Sequence, residues 1–264
     1  MISISYSNYD FMKNNNITFI VPVHVDSIER LENFITSIGL LLSYNLGDVV
    51  VLETSKYRNN FIPKYFADKI DYHHLASRDN IYYKTFLVNY LARNIKTKYL
   101  CIWDVDIIIK SNLLNKAINL LTDENYDFVL PYNGTCYNVC GILRECFIGN
   151  KDIRFLYRNI PKMNLLYNKS LVGGVVFLNT LKFHEVGLDN EYIYGWGPED
   201  FERYERCKKL NLKIELVDGE IFHLDHPRKF VSVMQKEASV IYDQTLNSSK
   251  DEVLFQIQQV AENV

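Results

Sequence analysis

The chain has 264 residues, and its 29 Lys and Arg side chains against 32 Asp and Glu give a formal net charge of −3 at pH 7. This balance argues against a nucleic-acid-binding protein, which normally carries a net basic surface for phosphate contacts. Apolar residues make up 48% of the chain and charged residues 23%, which is typical of a folded globular protein and excludes an intrinsically disordered one.

The cysteines and the apolar runs indicate the compartment. The five cysteines are odd in number and have no paired CxxC spacing, so we expect neither a disulfide framework nor a zinc site. Residues 1–16 are polar and lack the apolar core of a signal peptide. No apolar run approaches the roughly 18 to 20 residues that span a bilayer. We therefore predict a cytoplasmic protein without a transmembrane segment, for which peripheral contact with a membrane stays open.

The first half of the sequence alternates short apolar strands with amphipathic helices. The strands are predicted over residues 17–25, 48–52, 70–75 and 99–105. The helices are predicted from apolar stripes between Ile28 and Leu41 and between Tyr83 and Leu91, and from a third stripe that Ser111 caps and Leu121 ends. This alternation predicts an α/β fold in which helices cover both faces of a mostly parallel sheet.

The pattern is less regular after residue 130, and residues 131–169 show no convincing long element. The later predicted elements are a strand with two glycines over residues 171–178, a helix from Pro198 towards Leu210, a strand over residues 214–217, and amphipathic helices from Phe230 to the end. The sequence shows no repeat, linker or shift in composition. These elements therefore indicate one domain spanning residues 1–264.

Two carboxylates end the predicted strand over residues 99–105. Asp104 and Asp106 flank Val105 at the place where an open parallel sheet binds its ligands. Hard oxygen ligands of this kind hold Mg²⁺ or Mn²⁺. A solvated turn or a helix cap is the alternative interpretation. The acids lie between apolar stretches, however, where a carboxylate without a partner is costly.

Two later clusters carry further polar groups. Residues 194–200 read Tyr-Gly-Trp-Gly-Pro-Glu-Asp, which offers glycines for close backbone approach, an indole face for a sugar and two acids at a helix start. A tight turn with a core tryptophan is the alternative. His223 and His226 follow as an HxxH pair around Asp225, and imidazole with carboxylate suits Mn²⁺ or a similar ion. A purely structural histidine pair is the alternative there.

The chain has neither GxGxxG nor GxxxxGK[ST], which argues against dehydrogenases and P-loop enzymes.

The order of these motifs resembles that of nucleotide-sugar glycosyltransferases of the GT-A fold, most closely the β-1,4-galactosyltransferase and chondroitin-synthase-like group. The resemblance covers roughly residues 17–228, and its most specific parts are Val172-Gly173-Gly174-Val175 and the segment from Gly195 to Asp200. It implies a Rossmann-like GT-A domain. The expected parts are a nucleotide-binding half over about residues 17–130, a donor-sugar and acceptor half over about 131–228, and C-terminal helices over 229–264.

The resemblance also implies roles for individual residues. Asp106 and His226 are the implied metal ligands, with His223 as a second histidine, and the ion is Mn²⁺ or Mg²⁺. Asp200 is the implied general base, and Glu199 is implied to bind sugar hydroxyls and stays open as an alternative base. The other residues implied to contact the UDP-sugar are Pro22, His24, Asp26, Glu53, Lys84, Asp104, Val105, Gly174 and Trp196. Further rings assigned to the sugar site are Tyr132, Tyr137 and Tyr194. Two positions depart from the family pattern: Pro198 stands where a glycine is common, and Phe201 stands where many members have a third acid. These departures leave the identity of the acceptor open.

The implied function is metal-dependent, inverting transfer of a sugar from a UDP-sugar to a hydroxyl of a glycan acceptor, in surface polysaccharide assembly. Galactose and N-acetylgalactosamine are the favoured sugars. An inverting transfer needs a carboxylate that takes the acceptor proton, and a divalent ion stabilises the leaving diphosphate. Two alternatives remain. A nucleotidyltransferase on a similar sheet lacks its Gly-rich basic loop here, and a non-catalytic sugar-binding protein would not need the retained acids and histidines.

Overall fold

The computed structural model describes residues 16–78, 81–195, 197–227 and 236–262. The strands are β1 (Ile17–Val23), β2 (Asp48–Ser55), β3 (Asp71–Ala76), β4 (Tyr99–Trp103), β5 (Ile107–Ile108), β6 (Phe128–Leu130), β7 (Thr135–Val139), β8 (Asn164–Leu165), β9 (Val175–Asn179), β10 (Ile214–Leu216) and β11 (Glu220–Leu224). The helices are α1 (Ile28–Tyr44), α2 (Phe61–Phe66), α3 (Lys84–Asn94), α4 (Ser111–Thr122), α5 (Gly141–Asn150), α6 (Ile153–Asn159), α7 (Thr180–Glu185), α8 (Glu199–Lys209), α9 (Lys236–Asn247) and α10 (Lys250–Glu262). Single 3₁₀ turns lie at Ala67–Lys69 and Ile160–Lys162.

A seven-stranded sheet in the order β10-β6-β9-β4-β1-β2-β3 carries the main core. The interior strand β1 is buried at every position, as expected for a β-branched run with helices on both faces. β1 pairs in parallel with β2 and β4, and only β9 runs antiparallel to its neighbours β4 and β6. The α/β prediction with a mostly parallel sheet is therefore confirmed.

A second, four-stranded sheet in the order β5-β11-β7-β8 lies beside the first. It packs against α5 and α6 around a separate small core that includes Phe147, Leu156 and Phe222. The prediction that residues 131–169 hold no long element is therefore wrong. The sequence signal is weak because α5 buries only Arg144 and Phe147, so it lacks a continuous apolar stripe.

Several element boundaries differ from the prediction by a few residues. α4 begins at Ser111 itself, with Lys110 at the cap position and no side-chain cap bond, so Ser111 is not the cap. The strand predicted over residues 171–178 begins only at Val175, because Gly174 has a φ of +80°, outside the extended region. The helix predicted from Pro198 starts one residue later, at Glu199. Phe230, the predicted start of the C-terminal helices, lies outside the described residues.

No helix within the described residues is both long and apolar enough to cross a membrane.

Candidate active site

Most of the residues that the motifs single out meet in one cleft of about 510 Å³. The cleft lies at the carboxyl ends of β1 and β4, where an open parallel sheet normally binds its ligand, and the start of α8 lines its other side. The predicted site residues that line it are Pro22, His24, Asp26, Lys84, Asp104, Val105, Asp106, Gly174, Glu199, Asp200, His223 and His226. Chain segments that are far apart in sequence thus supply one site.

Asp106, His223 and His226 form a cluster whose ligand atoms all lie within 4.8 Å of one another. The Oδ2 atom of Asp106 is 3.1 Å from Nε2 of His226 and 3.6 Å from Nε2 of His223. The pairing of β11 with β5 creates this proximity, because it sets His223 opposite Ile107. Burial raises the pKa of Asp106, but the two imidazoles together lower it well below its usual value. The carboxylate is therefore ionised and can bind a cation.

The outer hydrogen bonds of the imidazoles suit a metal site. Nδ1 of His223 lies 2.9 Å from the side-chain oxygen of Asn138, and Nδ1 of His226 lies 3.1 Å from the carbonyl oxygen of Pro227. When each oxygen accepts the Nδ1 proton, each Nε2 keeps its lone pair for a metal. Arg30 also reaches Nδ1 of His226, at 3.2 Å, and favours the other tautomer. The hydrogen bond from Nδ1 of His226 to the Pro227 carbonyl is the one compatible with metal binding, because it leaves Nε2 without a proton.

The donor set of this cluster fits a divalent cation. Nε2 of His226 lies 3.1 Å from Oδ2 of Asp106, so with both Nε2 atoms deprotonated two nitrogen acceptors and one carboxylate oxygen would face one another. Such acceptors repel unless a proton or a cation lies between them. One carboxylate with two imidazoles is a set that binds Mn²⁺ and neighbouring divalent ions.

Lys84 lies at the centre of an acidic cluster formed by Asp104, Glu199 and Asp200. Its Nζ atom is 3.0 Å from Asp104, 3.4 Å from Asp200 and 3.5 Å from Glu199. Burial lowers the pKa of Lys84, but the three carboxylates raise it well above its usual value. Lys84 is therefore a fixed positive charge that holds the three acids together, and its contact with a diphosphate stays a prediction.

The three acids of this cluster differ in charge state. Burial raises the pKa of Glu199 to about 7 and that of Asp104 to about 6, in each case against the positive charge of Lys84. Burial also acts on Asp200, but Lys84 and Arg203 lower its pKa below the usual value. Oε2 of Glu199 is buried without a hydrogen-bond partner among the described residues, which suits a bond to a ligand hydroxyl. Asp200 is thus the acid of the cluster that stays ionised at neutral pH, which a general base must be.

Two glycines before β9 make room for the site. A Cβ on Gly173 would lie 1.9 Å from Oδ2 of Asp200, so only glycine fits beside this carboxylate. Gly174 takes a φ of +80°, which other residues rarely adopt, and its carbonyl accepts a hydrogen bond from the Asp104 amide at 2.8 Å. The backbone of the glycine pair therefore lies directly against both acids.

Some predicted site residues lie elsewhere. Glu53 is 1% exposed and accepts hydrogen bonds from Tyr72 and Ser55, and the cleft lining does not include it. Tyr132 is fully buried and donates to the Gly173 carbonyl at 2.7 Å, so its prediction as a sugar-stacking ring is wrong. Trp196 falls outside the described residues.

Tyr137 and Tyr194 both pack against other rings. Tyr137 packs on Phe222 in the second sheet, with ring centroids 6.0 Å apart. Tyr194 packs on Tyr83 at 5.8 Å. Neither ring is part of the cleft lining. These two tyrosines therefore serve packing at the positions that the structure gives them.

Sequence reasoning missed two charged residues behind Asp200. Arg203 is fully buried and donates to Asp200 at 2.9 Å, and Asp189 binds the same guanidinium from the other side. The one signal in the sequence is the spacing of Arg203, three residues after Asp200 on a helix that starts at Glu199, which places both on one face. Asp189 lies in an irregular segment and gives no signal.

Comparison with known proteins places the family signature over the same part of the chain. Residues 155–229 match the family model for the N-terminal domain of galactosyltransferase. This range contains the glycine pair, both acids at the start of α8 and both histidines. No curated protein sequence matches the chain.

Several solved structures are similar to the chain over most of its length. The catalytic domain of Drosophila β1,4-galactosyltransferase 7 in complex with xylobiose matches with a TM-score of 0.53 at 14% identity, covering 90% of this chain and 83% of that one. A mutant of the same enzyme in complex with manganese, UDP-Gal and xylobiose gives 0.56 at 14% identity, with the same 90% and 83% coverage. TarS from S. aureus in complex with UDP-GlcNAc gives 0.58 at 14% identity, covering 94% of this chain and 72% of that one.

These likenesses show the fold of the chain and locate its family signature. The chain has the GT-A fold of glycosyltransferases. The galactosyltransferase model matches the segment that supplies Asp200, His223 and His226, so this part of the chain is similar to galactosyltransferases. The predicted resemblance and the predicted GT-A fold are confirmed.

Proposed function

We propose that the protein transfers a sugar from a UDP-sugar to a hydroxyl of a glycan acceptor, with inversion at the anomeric carbon and with a bound divalent ion. The observation that carries this proposal is the arrangement of the cleft. The metal-type cluster of Asp106, His223 and His226 and the ionised carboxylate of Asp200 line the same cavity. An inverting transfer needs a cation for the leaving group and a base for the attacking hydroxyl.

The ion is proposed to be Mn²⁺, held by Asp106, His223 and His226. A divalent ion bound there supplies positive charge that stabilises the departing diphosphate. Support comes from the donor set described above and from the manganese in the similar Drosophila structure. Mg²⁺ is the second choice because imidazole nitrogen suits it less well than oxygen ligands do.

The residues of the acidic cluster then have separate tasks. Asp200 takes the proton of the acceptor hydroxyl as that oxygen attacks, because it is the acid whose lowered pKa keeps it ionised and free of a proton. Glu199 binds a sugar hydroxyl through its buried Oε2, which has no hydrogen-bond partner in the described part of the chain. Pro22, His24 and Asp26, at the end of β1, remain proposed contacts of the uridine. The donor is proposed to be UDP-galactose or UDP-N-acetylgalactosamine, in polysaccharide assembly, because the matching family model is that of a galactosyltransferase.

A panel of nucleotide sugars tests the proposal. Release of UDP from UDP-galactose, UDP-N-acetylgalactosamine, UDP-GlcNAc and UDP-glucose is measured with Mn²⁺ and with excess EDTA. We expect Mn²⁺-dependent release from at least one donor and its loss in D106N. The exposed Asp68 provides a matched control, D68N, which should behave as wild type. Full activity in EDTA would exclude the metal, and pyrophosphate release from UTP and a sugar phosphate would support a nucleotidyltransferase instead.

A further inference from the structure

Arg203 joins the proposed base to a second carboxylate inside the protein. Arg203 follows Asp200 by one turn of α8 and is fully buried. Its Nη1 donates to Oδ1 of Asp200 at 2.9 Å. Its Nε and Nη2 donate to the two carboxylate oxygens of Asp189, at 2.5 and 2.7 Å. The planar guanidinium is thus held in one orientation by a bidentate hydrogen-bonded ion pair with Asp189.

Asp189 is itself fixed by the helix that carries Lys84. The side-chain amide of Asn89, on α3, donates to the Asp189 carbonyl at 2.9 Å and accepts from the Asp189 amide at 2.8 Å. Asp189 is 4% exposed, so water does not compete for these bonds. Both cations that contact Asp200 are therefore anchored to α3, Lys84 directly and Arg203 through Asp189.

We propose that Arg203 is a positioning residue for the transfer reaction: it fixes Oδ1 of Asp200 so that Oδ2, beside Gly173 in the cleft lining, takes the acceptor proton. The proposal rests on the proposed function, because it takes Asp200 to be the base. Asp189 acts only through Arg203. A carboxylate held at one oxygen by a rigid donor keeps the other oxygen in a defined place, and such alignment is worth large factors in rate.

The charges around Asp200 give this arrangement a measurable signature. The groups that face Asp200 are Lys84 from α3, Arg203 and Glu199 from α8, Asp104 after β4, and Tyr132. Of these, Lys84 and Arg203 lower the pKa of Asp200, against the effect of its burial. Loss of the Arg203 charge should therefore raise the pKa of Asp200, so that the base becomes protonated, and the rate falls, at a higher pH.

The test compares R203Q and R203K with R206K as a matched control. Arg206 is a second buried arginine of α8, but it pairs with Glu202 at 2.9 Å and bonds to the carbonyl oxygens of Val186 and Leu188. The kcat and pH profile of UDP release are measured with Mn²⁺ and the most active donor of the panel, UDP-galactose in the first instance. Affinity for UDP with Mn²⁺ is measured by calorimetry in parallel.

For R203Q we expect kcat to fall by about 10²-fold and the acidic limb of the profile to move up by about 1 to 3 pH units, with UDP affinity unchanged. R203K keeps the charge, so it should restore the acidic limb and only part of kcat. R206K should lower the melting temperature and leave the acidic limb in place. In a D200N background, R203Q should have no further effect on kcat.

A wild-type kcat and acidic limb in R203Q would overturn the positioning role, as would a further loss of kcat in the D200N background. If R203Q no longer binds UDP, the R203K variant tests the positioning role in its place. A wild-type kcat in R203K would also overturn the proposal. Near-normal turnover by D200N alone would instead refute the proposed function of Asp200, so the two failures are distinguishable.

Discussion

Substitution of Gly173 by alanine perturbs the proposed base through a single methyl group. The added Cβ would lie 1.9 Å from Oδ2 and 2.3 Å from Cγ of Asp200. Real Cβ contacts below 3.0 Å hardly occur, so the oxygen must retreat from 1.9 Å to at least 3.0 Å, a shift of about 1.1 Å. Gly173 does not have a positive φ, so alanine adds no backbone strain and the effect is steric.

A displacement of this size should be costly for catalysis. Misplacement of a catalytic group by about 1 Å lowers rates by about 10²-fold, which corresponds to about 2.7 kcal/mol of transition-state stabilisation. We expect G173A to bind UDP with Mn²⁺ as wild type does and to show this loss in kcat for UDP release. The control is G39A, since Gly39 lies in α1 and a methyl group added there would have no atom within 4 Å, so alanine should be neutral or slightly stabilising.

The result that would refute this reasoning is a G173A enzyme with wild-type kcat. Such an enzyme would show that the position of Asp200 does not limit the reaction, or that another group is the base. A loss of UDP binding in G173A together with a lowered melting temperature would indicate a general packing defect. It would argue against a local displacement of the Asp200 carboxylate.

Three further predictions concern the two clusters. Mn²⁺ at about 100 times its Kd should stabilise the wild type by about 2.7 kcal/mol, measured as a rise in melting temperature, and D106N should lose this rise; an unchanged rise would exclude Asp106 as a ligand. The pKa of Glu199 is raised to about 7, so a protonated Glu199 that donates to the sugar should give a rate that falls as pH increases through about 7. E199Q should abolish this alkaline limb of the pH profile, and an unchanged limb in E199Q would show that another group causes the fall. K84M leaves Asp104 and Glu199 without the cation that contacts them, while Asp200 keeps Arg203. This variant should lower the free energy of unfolding by about 3 to 5 kcal/mol in urea titrations, whereas K64M, at an exposed lysine, should be neutral.

Much of the site can be predicted because its residues occur at strand and helix ends. Asp104 and Asp106 follow a fully buried strand, and Asp200 lies in the first turn of a helix. Apolar periodicity locates such ends without knowledge of the tertiary structure. Once these ends are known, the topology of an open α/β sheet brings them to one edge.

The remaining features depend on contacts that local sequence does not encode. Arg203 meets Asp189 only because a loop packs against α8, and the central role of Lys84 arises from acids 20 and 116 positions later in the chain. Glu53 illustrates the converse case, because the family resemblance implies a contact with the UDP-sugar although its carboxylate is bonded within the sheet to Tyr72. The second sheet escapes prediction since its helices bury few apolar side chains.

Release of UDP by wild type and D200N, compared at saturating Mn²⁺ and donor, decides whether Asp200 is the base. We expect equal affinity for UDP with Mn²⁺ in both proteins and a kcat in D200N that is lower by about 10² to 10⁴-fold, the usual contribution of a general base. Equal affinity together with equal turnover would contradict the proposed mechanism, because the carboxylate of Asp200 would then have no part in the transfer.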